Sequence, residues 1–267
     1  MDLAGVRTMR TASGREDLAL APGETFMAGA TWLYSEPQPG LTGLVDLAGL
    51  GWDELELTMP GDLRVGAMTT IGDLAAWAHR SDLPAAPLMH QCAESLLASF
   101  KVQAAATVGG NVAKSYAAGA MVAMAATLDG VADVWRADGS VDEVPVADIP
   151  ADNGVSHLGH GDAIRAITLP SAALAARTAH RRIALAQHGR SGALLTGRRD
   201  TDGSCVLVIT AATRVPVVLR YTQVPTADAV VADALAAPGY YTDPLGTADW
   251  RRGVSATLLA EVAEELA

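Results

Sequence analysis

The sequence runs to 267 residues, half of them hydrophobic, enough for one large domain or for two to three smaller lobes. Its 30 Asp and Glu outweigh its 19 Lys and Arg, and the formal net charge of −11 excludes the clustered basic surface that nonspecific nucleic-acid binding needs. Cys92 and Cys205 lie far apart with no CxxC pattern, so neither a disulfide framework nor a thiolate-held zinc or iron–sulfur centre is expected on this chain.

Aromatic residues are only 4% of the chain, so Ala, Val and Leu must fill the core. Residues 1–17 have no apolar segment of signal-peptide length. The most apolar run, 117–128, is too short for a bilayer, which takes about 20 residues. A cytoplasmic protein without a membrane span is the expectation.

Residues 1–20 are weakly patterned, and Pro22-Gly23 marks a turn. Residues 25–33 read as a short strand ending in a small-residue turn, Ala28-Gly29-Ala30-Thr31, with a helix or loop after it. Pro37, Pro39 and Gly40 make 34–41 a loop, and 44–47 is a second strand, so the unit is βαβ-like. Residues 63–67 form another strand, and 69–77 read as a helix with a Thr cap at its start. Pro84 and Pro87 interrupt, and 88–97 is helical.

The next stretch, 99–113, reads SFKVQAAATVGGNVA and centres on Thr107-Val108-Gly109-Gly110-Asn111. Glycine permits positive φ and close backbone approach, and a run of exposed N–H groups in such a turn makes a cradle suited to phosphate. The same residues suit a tight turn between two buried segments.

Residues 117–128 have high helical propensity. Strands follow at 131–136 and 141–146 around an Ala-Asp-Gly-Ser hairpin turn, and at 163–169, ending at Pro170. The composition then changes. Strands at 192–196, 205–211 and 215–221 and amphipathic helices at 227–235 and 249–266 read as an antiparallel sheet covered by helices, with a boundary near 171. The six histidines show no metal spacing, and His157 and His160 read as a polar loop. No Gly-x-Ser-x-Gly elbow and no paired carboxylates support a hydrolase. No G-x-G-x-x-G with an acidic residue downstream supports a nicotinamide dehydrogenase.

Several pieces occur together and in order: Ala28-Gly29-Ala30-Thr31, the strand Val45-Asp46-Leu47, LRVGAMTTIGDLA over 63–75, KVQAAATVGGNVA over 101–113, an IxLP strand end at 167–170, and AATRVPVVL over 211–219. The set resembles the FAD-binding medium subunit of the molybdenum hydroxylases, the xanthine dehydrogenase and carbon monoxide dehydrogenase family, over roughly residues 20–265. The resemblance implies an α+β fold. A two-subdomain PCMH-type FAD-binding domain would span 1–170, with subdomains of about 1–56 and 57–170. A C-terminal α+β lobe, an antiparallel sheet plus helices, would span 171–267.

It further implies that the FAD diphosphate lies between two N–H-rich turns, held without Lys or Arg. One is Ala28, Gly29, Ala30 and Thr31, with Trp32 adjoining; the other is Thr107, Val108, Gly109, Gly110 and Asn111. Ile164 takes an apolar flavin-side position, and one of Arg181 and Arg182 a basic one. Lys114 and Tyr116 stand within reach of the same pocket. No catalytic residue and no metal ligand is implied on this chain. Substrate oxidation belongs to a large subunit with the molybdenum cofactor, and the [2Fe–2S] clusters to a small subunit, in a hetero-oligomer. That division agrees with the scarcity of Cys here.

The implied function is electron transfer through FAD. The alternatives are an FAD-poor structural or assembly subunit and a stand-alone flavin oxidoreductase. Three departures from the family bear on the site: Ala30 replaces a second glycine, Ala117 a proline, and Ala120 an Asp that contacts FAD. Alanine at position 30 is tolerable if its φ is negative.

Overall fold

The computed structural model describes residues 2–267. Strands β1 (Thr8–Thr11), β2 (Glu24–Met27) and β3 (Gly43–Asp46) form a parallel three-stranded sheet in the order β1-β3-β2. The link from β2 to β3 holds turns and no helix, so the loop alternative is the one realised. Pro37 and Pro39 lack the amide donors a helix would use there.

A larger sheet follows. Strands β4 (Leu55–Leu57) and β5 (Leu63–Gly66) lead into helices α1 (Ile71–Arg80), α2 (Ala86–Ser95), α3 (Phe100–Gln103), α4 (Val108–Lys114) and α5 (Ala120–Thr127). Thr70 caps α1 by accepting from the Asp73 amide at 3.0 Å, in line with the Thr-cap reading. Then come β6 (Val131–Trp135), β7 (Val141–Pro145), the short pair β8 (Pro150–Asp152) and β9 (Val155–Ser156), and β10 (Ala163–Leu169). The antiparallel order is β4-β5-β10-β6-β7, with β10 at the centre. Ile164, Ile167 and Leu169 of β10 are buried, and the register against β6 shifts between Ile164 and Ala166.

Beyond α6 (Ser171–Leu174), strands β11 (Arg177–Ile183), β12 (Ala193–Arg199), β13 (Cys205–Thr210) and β14 (Val217–Tyr221) make an antiparallel meander. Helices α7 (Ala227–Ala236) and α8 (Ala248–Leu266) pack with it around a second hydrophobic core. β11 carries His180-Arg181-Arg182, a run that hides its strand character. Only Ala179 points fully inward, while Arg181 reaches across to Glu261 and Glu265 of α8 at 3.0 and 2.7 Å.

Helix α5 packs the larger sheet's core against the meander, on the face of β13 opposite the second core. All of its residues are buried, and its small side chains let α2 and α4 approach on one side and β12 and β13 on the other. Thr127 at its end meets Thr196 of β12, Oγ1 to Oγ1, at 2.5 Å. Arg198 donates to the Thr127 carbonyl at 2.6 Å and pairs with Asp129. These buried polar groups satisfy one another and fix the meander against the larger sheet. Among the described residues no helix is long and apolar enough to cross a membrane, and no group of His, Cys, Asp and Glu could hold a metal ion. Both cysteines are free and buried, and burial pushes their thiols up.

Candidate functional site

A cleft of about 510 Å³ opens where the parallel sheet, α4, the 156–164 loop and the loop after β11 meet. Ala28, Gly29, Ala30, Thr31, Trp32, Thr107, Gly109, Gly110, Asn111 and Ile164 line it. Val108 does not. Its side chain is buried in the core and its amide donates to the Thr69 carbonyl at 2.9 Å.

The first turn leaves β2 and is open. Among the described residues, the five amides of 29–33 donate to no protein acceptor. The chain is held there by close approach: a Cβ on Gly29 would lie 1.8 Å from the Ala105 carbonyl oxygen, so only glycine fits. Ala30 sits at φ +55°, in the left-handed region, and not at the negative φ that would suit alanine. This strain arises because the turn keeps the backbone path that a second glycine would take freely.

The second turn is closed, contrary to the reading of two N–H-rich turns. It is the start of α4. Thr107 caps it, accepting from the Gly110 amide on Oγ1 at 3.1 Å and from the Asn111 amide on its carbonyl at 3.0 Å. The Gly109 amide donates to the Ala67 carbonyl at 3.0 Å. Neither Gly109 nor Gly110 has a positive φ. Gly109 is required by packing, since its Cβ would lie 2.5 Å from that of Ala67 at the end of β5. Of this segment, only the Thr107 amide has no protein acceptor among the described residues.

Asn111 ties α4 to α5, because its Oδ1 accepts from the Met121 amide at 3.0 Å. The missing proline at 117 has a local reason. The Ala117 amide donates to Asn153 Oδ1 at 3.0 Å, a bond proline could not make. Ala120 is buried in the first turn of α5 and presents no polar group.

The cleft also contains cations, against the expectation of a diphosphate held without them. Lys114 at the end of α4 stands 3.6 Å from the centroid of the Trp32 ring and 5.0 Å from that of Tyr116. Burial holds its ammonium below the usual lysine value, partly offset by the charge of Glu36. Arg190 lies 5.5 Å from the same Tyr116 ring. Neither Arg181 nor Arg182 takes this place: Arg181 is engaged by α8, and Arg182 donates to Ser191 Oγ at 2.8 Å and to the Gly189 carbonyl. Arg190 has no local sequence signal, because only the fold brings its loop to the cleft.

Two hydroxyls, Ser95 and Ser191, line the same end. Ser95 Oγ is 2.8 Å from His180 Nε2, and burial together with Arg181 and Arg182 pushes that imidazole down to about 4. At the other end Asp162 accepts from Arg136 Nη1 and the amides of Ala137 and Gly159. Burial raises its carboxyl, but these bonds outweigh it and hold the group below its usual value. His160 also lines this end, its Nε2 3.2 Å from the Glu24 carbonyl.

The family described as "FAD binding domain in molybdopterin dehydrogenase" matches residues 10–172. The chain belongs to this FAD-binding family. No curated protein matches the sequence. Its fold is that of a chain in reconstituted CO dehydrogenase from Oligotropha carboxidovorans, with a TM-score of 0.84 at 21% identity over 99% of this chain and 98% of that one. Quinoline 2-oxidoreductase from Pseudomonas putida 86 gives 0.79 at 18% identity, covering 100% and 98%. A carbon monoxide dehydrogenase from Hydrogenophaga pseudoflava, lacking the Mo-pyranopterin moiety of its cofactor, gives 0.80 at 18%, covering 97% and 96%. The FAD-binding family and the cleft agree physically. The cleft has the size of a ligand site, open amides suited to phosphate oxygens, and a mostly apolar lining.

Proposed function

We propose that this chain is the FAD-binding electron-transfer subunit of a multi-subunit molybdenum hydroxylase. A small partner carrying [2Fe–2S] clusters would deliver electrons, and a large partner carrying the molybdenum cofactor would oxidise substrate. The observation that carries the reading is the open turn, with the free amides of 29–33 facing a family-matched cleft. When bound, FAD supplies the redox chemistry; the protein binds, orients and shields it.

The open turn and the Thr107 amide would hold phosphate oxygens. Trp32, Ile164 and Phe26 give apolar walls, and Ser95 and Ser191 give polar anchors. We assign no general acid or base for substrate to this chain. We also place the division between an FAD-binding domain and a C-terminal lobe at 170/171. The second buried core, drawn wholly from β11 onward, supports it, while Ala173, Leu174, Leu194 and Ala211 still pack in the first.

The test is flavin content and reducibility of the complex purified intact. One FAD per copy of this chain, bleached when the substrate of the large partner is added anaerobically, is expected. An intact complex without extractable FAD contradicts the reading and supports an assembly role. Substrate turnover by this chain with FAD alone supports a stand-alone flavoenzyme.

A further inference from the structure

We propose that Lys114 and Arg190 form an anion subsite that takes the diphosphate of the dinucleotide, supplying the counter-charge and donors that the closed second turn withholds. The proposal rests on the flavin reading above and goes beyond it in assigning charge recognition to two residues outside both glycine turns.

The two cations line the cleft without an ion pair, unlike the arginines that are tied to carboxylates elsewhere in the chain. Arg10, Arg64, Arg136, Arg165, Arg181, Arg198, Arg214, Arg220 and Arg251 each meet a carboxylate. Among the described residues, Lys114 and Arg190 have no ion pair and no hydrogen-bond acceptor, only aromatic faces. Asp162, the carboxylate that lines the cleft, is taken up by Arg136 and two amides, and Glu36 acts on Lys114 only from beyond contact distance.

An ammonium brings three donors and a guanidinium five, and aromatic rings satisfy the charge without satisfying the donors. A partly desolvated cation in this condition favours an oxyanion with several acceptor oxygens. The geometry around Lys114 is built. Trp32 Nε1 donates to the Tyr116 hydroxyl at 2.9 Å, which fixes both rings beside the ammonium. Trp32 belongs to the open turn, so the charge and the free amides share one cleft. Arg190 arrives from the loop that follows β11. A diphosphate touching both cations therefore links the meander to the FAD-binding unit, and the site selects a dinucleotide over free riboflavin.

The experiment is a calorimetric titration of the full-length chain and of K114M, K114R and R190M with FAD, ADP, inorganic pyrophosphate and riboflavin at several salt concentrations. K114M should weaken FAD, ADP and pyrophosphate by about 10- to 100-fold, the loss of a charge-assisted hydrogen bond, and leave riboflavin unchanged. It should also flatten the salt dependence of FAD binding. R190M should act in the same direction, and K114R should recover most of the affinity. Unchanged FAD affinity in K114M and R190M, or an equal loss for riboflavin, overturns the subsite and leaves the flavin reading standing. Lys114-dependent binding of pyrophosphate and ADP by a chain that does not take FAD does the reverse.

Discussion

The two glycine turns have similar compositions and opposite roles. At 29–33 the backbone amides are open and the glycine exists to let two chain segments touch. At 108–111 the amides are committed to Thr69, Ala67 and Thr107, and the glycine exists to let a helix start against a strand. One turn offers donors and the other builds the wall that aims them. A Gly-Gly signature therefore locates this site without telling which glycine faces the ligand.

The comparison can be broken most severely at Gly29. G29A places a methyl against the Ala105 carbonyl, which cannot move without separating the turns. We expect a loss of about 3 kcal/mol or more in urea unfolding, together with loss of FAD binding. Full stability would mean that the two segments do not touch.

His180, bonded to Ser95 at the cleft wall, tests the frame around both turns through pH. Its folded-state value of about 4 lies below the ordinary 6.5, so the fold favours the neutral ring and the unfolded chain takes up the proton first. Its contribution is complete above about pH 6.5 and is lost as pH falls towards 4. The loss is on the order of 3 kcal/mol, and H180Q should remove that part of the slope in pH-dependent unfolding.

Gly109 should separate packing from binding. G109A should cost about 1–3 kcal/mol through its clash with Ala67, while the folded fraction keeps its FAD affinity. A specific loss of affinity without loss of stability would place Gly109 against the ligand. The smallest effect has the opposite sign. A30G relieves a left-handed alanine and should raise stability by about 1 kcal/mol, read as a higher denaturant midpoint.

Much of the fold was legible because its signals are local. Thr70 before an apolar helix, the hairpin around Gly139 and the alternation of Ile167 and Leu169 each report their own element. β11 was not legible, since Arg181 and Arg182 point to partners on other elements that no period-2 pattern reveals. The cleft's location followed from the motif pair. The closure of the second turn did not, because Thr69 and Ala67 claim its amides only after β5 and α4 meet. The φ of Ala30 and the arrival of Arg190 are likewise products of packing.

The most direct test of the asymmetry is residue-resolved amide hydrogen exchange with and without FAD. Fast exchange is expected at 29–33 in the free chain, with strong protection there on FAD addition and with 108–111 protected in both states. Protection gained at 108–111 while 29–33 remains unchanged would contradict it.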